Sequence, residues 1–132
     1  MTSLDTVQTF LKHVFAASLE EALALVAPEA QFISARPVPN PRVPVHGTFI
    51  GPAGAREFFR LFAALLEPGE FNITASFSEG EHVCMYGNLL HRSRTTGRDF
   101  PSNWALICRV QQGQLTLYHF YEDTAALEAA IA

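Results

Sequence analysis

The sequence predicts an α+β domain in which three N-terminal helices pack on a strongly curved antiparallel sheet, forming a cone with one pocket. Three observations carry this expectation. Apolar residues recur at helical spacing early in the chain, at Leu4, Val7, Phe10, Leu11, Val14 and Phe15. From Phe71 to Glu122 the pattern changes to long strand-like runs joined by short turns, which makes an antiparallel meander. Helices followed by consecutive strands favour α+β over a parallel α/β sheet. Strands of this length curl, and helices on the concave side leave a cavity.

Each element has its own signal. Thr2 or Ser3 can cap the first helix. Ser18, with Glu21 three residues later, suits a capping box for a second helix carrying Leu19, Ala22, Leu23 and Val26, stopped at Pro28. Gln31 to Ala35 reads as a short strand. The segment 36–46 holds Pro37, Pro39, Pro41 and Pro44, which exclude regular helix and any central strand. Such a long loop is often functional. Gly47 to Gly54 leads into a third helix with Pro52 in its first turn and an apolar face of Phe58, Phe59, Leu61, Phe62, Leu65 and Leu66. Pro68-Gly69 is expected to end it. Four strands follow, Phe71–Ser78, His82–Arg94, Phe100–Val110 and Gln114–Glu122, and then a helical tail, Thr124–Ile131.

Composition bounds the function. The chain has 132 residues, suited to a single domain, 1–132, with hydrophobic residues at 48% and eleven Phe. So many rings call for a thick core, a lined cavity or an oligomer interface. The formal net charge is −4 with no basic run, so no nucleic-acid partner is expected. No apolar stretch approaches the roughly 20 residues of a membrane span. Met1 to Thr9 carries no basic residue, unlike a signal peptide. Cys84 and Cys108 lack metal spacing and read as free buried thiols of a cytoplasmic protein. No phosphate loop, nucleophile elbow or metal signature is present, so no cofactor and no metal are expected.

Strand alternation sorts inward from outward residues. If Arg109 faces solvent, Trp104, Leu106, Cys108 and Val110 face inward. If Arg92 and Arg94 face out, Met85, Leu89 and His91 face inward, unless a bulge shifts the phase. In the last strand Leu115, Leu117, His119, Tyr121 and Asp123 share one face, and Thr116, Tyr118, Phe120 and Glu122 the other. Both faces hold aromatics, so hydrophobicity leaves the choice open.

Three stretches then resemble the nuclear transport factor 2-like superfamily, and within it the SnoaL-like polyketide cyclases and limonene epoxide hydrolases. They are Leu19-Glu20-Glu21-Ala22-Leu23-Ala24-Leu25-Val26 leading to Phe32, Gly47-Thr48-Phe49-Ile50-Gly51-Pro52-Ala53-Gly54 before the Phe-rich helix, and Gly113 to Asp123. The resemblance implies a terminal Asp facing the cavity. That would place Asp123, His119 and Tyr121 there. Asp123 is then the expected general acid or base, assisted by His119 or His91, with Trp104, Tyr121, Met85, Leu106, His13 and Arg36 as ligand-binding residues. Against these roles stand simpler ones. Asp123 would suit a cap for the tail helix, His119 a hydrogen-bonded core position, His91 and His13 the surface, and Arg36 and His46 an ordinary loop rather than a lid.

The related enzymes narrow the chemistry. The Arg and second Asp of limonene epoxide hydrolases would fall near Gly87 and Leu89, so epoxide hydrolysis is not expected. Ketosteroid isomerases keep a base after the first strand, where this chain reads Phe32 to Pro37 without an acid. They also keep a Tyr on the first helix, which is absent here. Cyclase or isomerase chemistry on a small hydrophobic carbonyl compound fits best. The alternatives are a non-catalytic small-molecule binder and a homodimeric interaction domain whose outward Tyr118, Phe120 and Ile107 pair with a second copy.

Overall fold

The computed structural model describes residues 1–132. Helix α1 (Ser3–Phe15) opens with a capping box in which Asp5 N–H donates to Thr2 Oγ1 and Thr2 N–H to the Asp5 carboxylate. Helix α2 (Leu19–Leu23) is a single short turn and a half. Ser18 makes no side-chain cap bond, so the expected second capping box does not form. The chain enters from Ala17 at φ 57°, and Ser18 N–H instead donates to the His13 carbonyl. The helix also ends earlier than expected, because Val26 to Ser34 is drawn into strand β1. Pro28 lies within that strand, between Val26 and Gln31, where the ladder to its neighbour is interrupted and no donor is needed.

Strand β2 (Thr48–Ile50) runs into helix α3 (Gly51–Leu65), with Pro52 in the first turn. Pro68-Gly69 does not end this helix. Leu66 is already extended, and the pair forms a bulge inside strand β3 (Leu66–Glu79), where pairing passes from Glu67 with Arg92 to Glu70 with Leu90. Strands β4 (His82–Ser93), β5 (Asp99–Gln111) and β6 (Gln114–Glu122) complete the expected meander, and helix α4 (Thr124–Ile131) follows as a fourth helix.

The six strands lie in the order β2-β1-β6-β5-β4-β3. The sheet is mixed rather than antiparallel, since β1 runs parallel to β6. Its concave face is packed by α1 and α3. Phe10, Phe32 and Phe58 are fully buried there, and Phe32 stacks on Tyr118 with ring centroids 4.9 Å apart at 17°. Gly87 sits where a Cβ would collide with the Asn72 carbonyl oxygen, so only glycine lets β3 close on β4 beneath Trp104. Cys84 and Cys108 are free, with Cys108 opposite Val83 and Cys84 opposite Ile107, so they point to opposite faces. No helix is long and apolar enough to cross a membrane.

The convex face differs from expectation. Ile107 points outward, but Tyr118 and Phe120 are buried on the concave side. The large apolar side chains exposed on the convex side are Phe77, Tyr86, Leu90 and Tyr121.

The proline-rich segment tucks Val43, Val45 and His46 into the protein, and its residues do not line the cavity described below. His46 is 3% exposed, and neither ring nitrogen has a hydrogen-bond partner. Burial, helped by the charge of Arg36 and opposed by that of Glu128, holds its pKa below the usual 6.5. The unfolded chain therefore takes the proton first, and stability is lost as the pH falls below 6.5. His46→Leu removes the unpaired group. It is expected to gain stability relative to wild type as the pH falls from 7 to 5, measured by urea unfolding at the two pH values.

Candidate active site

The last strand decides the site. Strict alternation from the buried Leu115 would send Leu117, His119 and Tyr121 inward. Instead Val110 pairs with Leu115 while Arg109 pairs with Leu117, so β6 carries one extra residue at Thr116. Thr116 Oγ1 donates back to the Arg109 carbonyl at 3.3 Å. This bulge switches the phase of the strand. Beyond it Tyr118, Phe120 and Glu122 face inward, opposite Cys108, Leu106 and Trp104.

These three residues form one wall of a cavity of about 160 Å³ between the sheet and α1 and α3. Leu11, Val14 and Phe15 of α1 and Phe58, Phe59 and Phe62 of α3 supply the opposite walls, and Phe71, Leu89 and His91 the far side. Eleven of the thirteen lining residues are hydrophobic, which leaves Glu122 and His91 as the exceptions. Phe15 is more than half exposed, packs on Phe71 at 5.3 Å and stands at the mouth.

Glu122 is the charged group of this space. Its Oε1 accepts a 2.9 Å hydrogen bond from Ser34 Oγ, and Ser34 is fully buried at the end of β1. Burial raises the Glu122 pKa to about 7, and the Ser34 bond only partly opposes it. Near neutral pH the carboxyl therefore exists in both forms, as a proton-transfer group requires. Tyr118 is held by stacking on Phe32, and its hydroxyl makes no hydrogen bond within the chain. Burial, together with Cys108 and the nearby Glu122, raises its pKa, so it remains a donor. His91 accepts from Gly69 N–H at Nδ1, 3.0 Å, which leaves Nε2 to carry the proton of the neutral ring. Burial lowers its pKa below 6.5, opposed by the Leu90 carbonyl, which favours the protonated ring. Its ring also borders a polar surface cleft with Glu67, Glu70, Arg92 and Asp99.

Of the residues expected at the site, only His91 lines the cavity. Asp123 is exposed and caps α4, its Oδ1 accepting from Ala126 N–H at 3.0 Å. His119 and Tyr121 point to the convex side, because the bulge reverses their phase. Trp104, Met85 and Leu106 face inward as expected but are buried in the core without lining the cavity. Trp104 backs its wall by stacking on Phe71 at 4.6 Å and Phe120 at 5.6 Å. His13 is half-buried on α1, one position from the lining residue Val14, and Arg36 is exposed on the loop. Glu122, Tyr118 and Ser34 were missed. A legible signal existed: the face Tyr118-Phe120-Glu122 is apolar except for one terminal acid.

The raised carboxyl pKa has a stability consequence. The unfolded chain ionises at the usual 4.5, whereas the folded carboxyl ionises at about 7, so stability falls as the pH rises through this window. Glu122→Gln is expected to be more stable than wild type by on the order of 2 kcal/mol at pH 8. The advantage should vanish at pH 4, where both states of the wild type are protonated. Denaturant titrations at the two pH values check this.

Comparison with known proteins agrees with this architecture. An NTF2-like protein from Burkholderia xenovorans LB400 superposes with a TM-score of 0.86 at 22% identity, covering 98% of this chain and 95% of its own. A Mesorhizobium loti protein provisionally named a SnoaL-like polyketide cyclase gives 0.71 at 15% identity, covering 92% and 99%. A provisionally named isomerase from Rhodopseudomonas palustris gives 0.77 at 19% identity, covering 98% and 96%. At such identities the likeness is one of fold. No curated protein matches the sequence. The family model of the SnoaL-like domain matches residues 7–118, most of the chain, and the chain therefore belongs to the SnoaL-like domain family.

Proposed function

We propose that the cavity is an active site of cyclase or isomerase type, in which Glu122 moves a proton on a small hydrophobic carbonyl compound. The observation that carries this reading is a single carboxyl, poised near pH 7, in an otherwise aromatic cavity. An ionised Glu122 takes the proton from the carbon beside the carbonyl. The electron pair moves into an enolate, whose oxygen accepts a hydrogen bond from the Tyr118 hydroxyl. The protonated Glu122 then returns its proton to the same or a conjugated carbon. In the first case the proton exchanges with solvent, and in the second the double bond has migrated. The volume of about 160 Å³ resembles cavities of about 150 Å³ that accept benzene, so a substrate of one ring is favoured. The names carried by the two provisionally named relatives are consistent with this class.

A panel of single-ring ketones, including cyclohexanone and 2-cyclohexenone, tests the proposal by deuterium incorporation beside the carbonyl in D2O. Wild type should accelerate exchange, with kcat/KM rising as the pH passes through about 7. Glu122→Gln should lose about 100-fold or more in kcat, and Tyr118→Phe about 10-fold, with smaller changes in KM. Exchange by Glu122→Gln at the wild-type rate would sink the proposal. Binding of these ketones without any exchange would instead favour a non-catalytic binder.

We also propose that a second copy covers the convex face. The centre of that face is uncharged around Tyr86, Ala105, Ile107 and Tyr121. Its rim carries both signs, in the Arg109–Glu81 pair at 3.0 Å and the Arg92–Asp99 pair at 3.7 Å. A two-fold pairing can therefore match apolar centre to centre and opposite charges at the edge. Sedimentation should show a dimer that Tyr86→Glu converts to monomer, whereas a wild-type monomer at high concentration would exclude it.

A further inference from the structure

We propose that His119 and Tyr121, on the side of the sheet facing away from the cavity, are positioning residues that fix the Ser34 hydrogen bond on Glu122. The connection runs through Ala35. This residue follows Ser34 and is held at φ 56°, a left-handed conformation in which its Cβ is crowded. Both of its backbone polar groups are tied to β6. Its N–H donates to the Phe120 carbonyl at 2.6 Å, and its carbonyl accepts from His119 Nε2 at 3.0 Å. The next N–H, of Arg36, folds back onto the Ser34 carbonyl at 2.6 Å. The chain thus turns sharply one residue after the serine that meets the carboxylate.

His119 is itself oriented. The Tyr121 hydroxyl lies 2.9 Å from its Nδ1, and the two rings stack with centroids 3.9 Å apart. A ring that donates from Nε2 to a carbonyl leaves Nδ1 as the acceptor, so the Tyr121 O–H donates and fixes the tautomer. Register supports the link, since Ile33 stands opposite His119 and Ser34 opposite Phe120 in the parallel pair. One strand therefore presents its acid to the cavity from one side. From the other side it clamps the backbone that carries the acid's hydrogen-bond donor. The remaining titratable groups lining the cavity are His91 from β4 and Tyr118 from β6, and neither bonds to Glu122.

The proposal rests on Glu122 being the acid of the cavity, but its test does not require turnover. The midpoint of the Glu122 side-chain carboxyl is followed by 13C NMR, assigned by its loss in Glu122→Gln. Removing the donor in Ser34→Ala should move the midpoint upward by roughly 1 on the pH scale, since a hydrogen bond to a charged group is lost. His119→Ala should move it in the same direction by about half as much, and Tyr121→Phe by less. Adding Ala35→Gly to His119→Ala should return it toward wild type, because glycine adopts the left-handed turn without the clamp. Tyr86→Glu, on the same face but remote from β1, should leave it unchanged, which separates positioning from any effect of dimer loss.

An unmoved midpoint in folded His119→Ala, or an equal movement in Tyr86→Glu, would overturn the proposal. If His119→Ala does not fold, Tyr121→Phe decides, and a midpoint identical to wild type counts against it. A midpoint that moves as expected while no ketone undergoes exchange would retire the catalytic reading and leave the positioning intact. Glu122-dependent exchange with an unmoved midpoint would do the reverse.

Discussion

One extra residue in the last strand decides which side chains this protein turns into its cavity. Without the bulge at Thr116, β6 would keep the phase set by Leu115 and present Leu117, His119 and Tyr121 to the helices. With it, Tyr118, Phe120 and Glu122 turn inward, and the convex face receives the polar ring pair. Bulges beside functional sites commonly re-aim side chains in this way. Here the effect is carried over the full length of the strand beyond it. The stack of Tyr118 on Phe32 and the packing of Phe120 against Trp104 and Phe71 both depend on that phase.

The inward acid sits in an environment that disfavours its charge. Aromatic and aliphatic walls offer Glu122 no cation, and only Ser34 donates to it. A carboxylate so placed is costly to ionise, which raises its pKa to about 7 and makes it useful for proton transfer. The protein tolerates this cost because the aromatic core on the same face is extensive. Phe10, Phe32, Phe58 and Tyr118 form a continuous cluster that holds α1 and α3 on the sheet. Membership of the SnoaL-like family agrees with such an arrangement at the level of fold.

Much of the fold was legible because the signals were local. The Thr2 cap, the Phe-rich helix and the three hairpin turns each act over a few residues, and the alternation in β4 and β5 runs uninterrupted around Arg109. One failure was local: the second capping box is lost to the turn that ends α1, where Ser18 N–H donates to the His13 carbonyl. The rest depended on partners distant in sequence. The parallel pairing of β1 with β6 reflects contacts that no short window contains. The site failed for a similar reason. A bulge is defined by two strands together, so Thr116 alone does not announce it. The resemblance to a family with a terminal Asp then favoured Asp123 over its neighbour. The tail helix needed that Asp as a cap, as the sequence Asp123-Thr124-Ala125-Ala126 also allowed.

Glu122, and not Asp123, is the acid that faces the cavity. The most direct measurement is the titration of the wild-type Glu122 carboxyl by 13C NMR, with Glu122→Gln supplying the assignment. A midpoint near 7 is the result expected of a desolvated carboxyl held by one serine. A midpoint at the ordinary value of about 4.5 would mean that the side chain stands in water, and that the phase assigned to β6 is wrong.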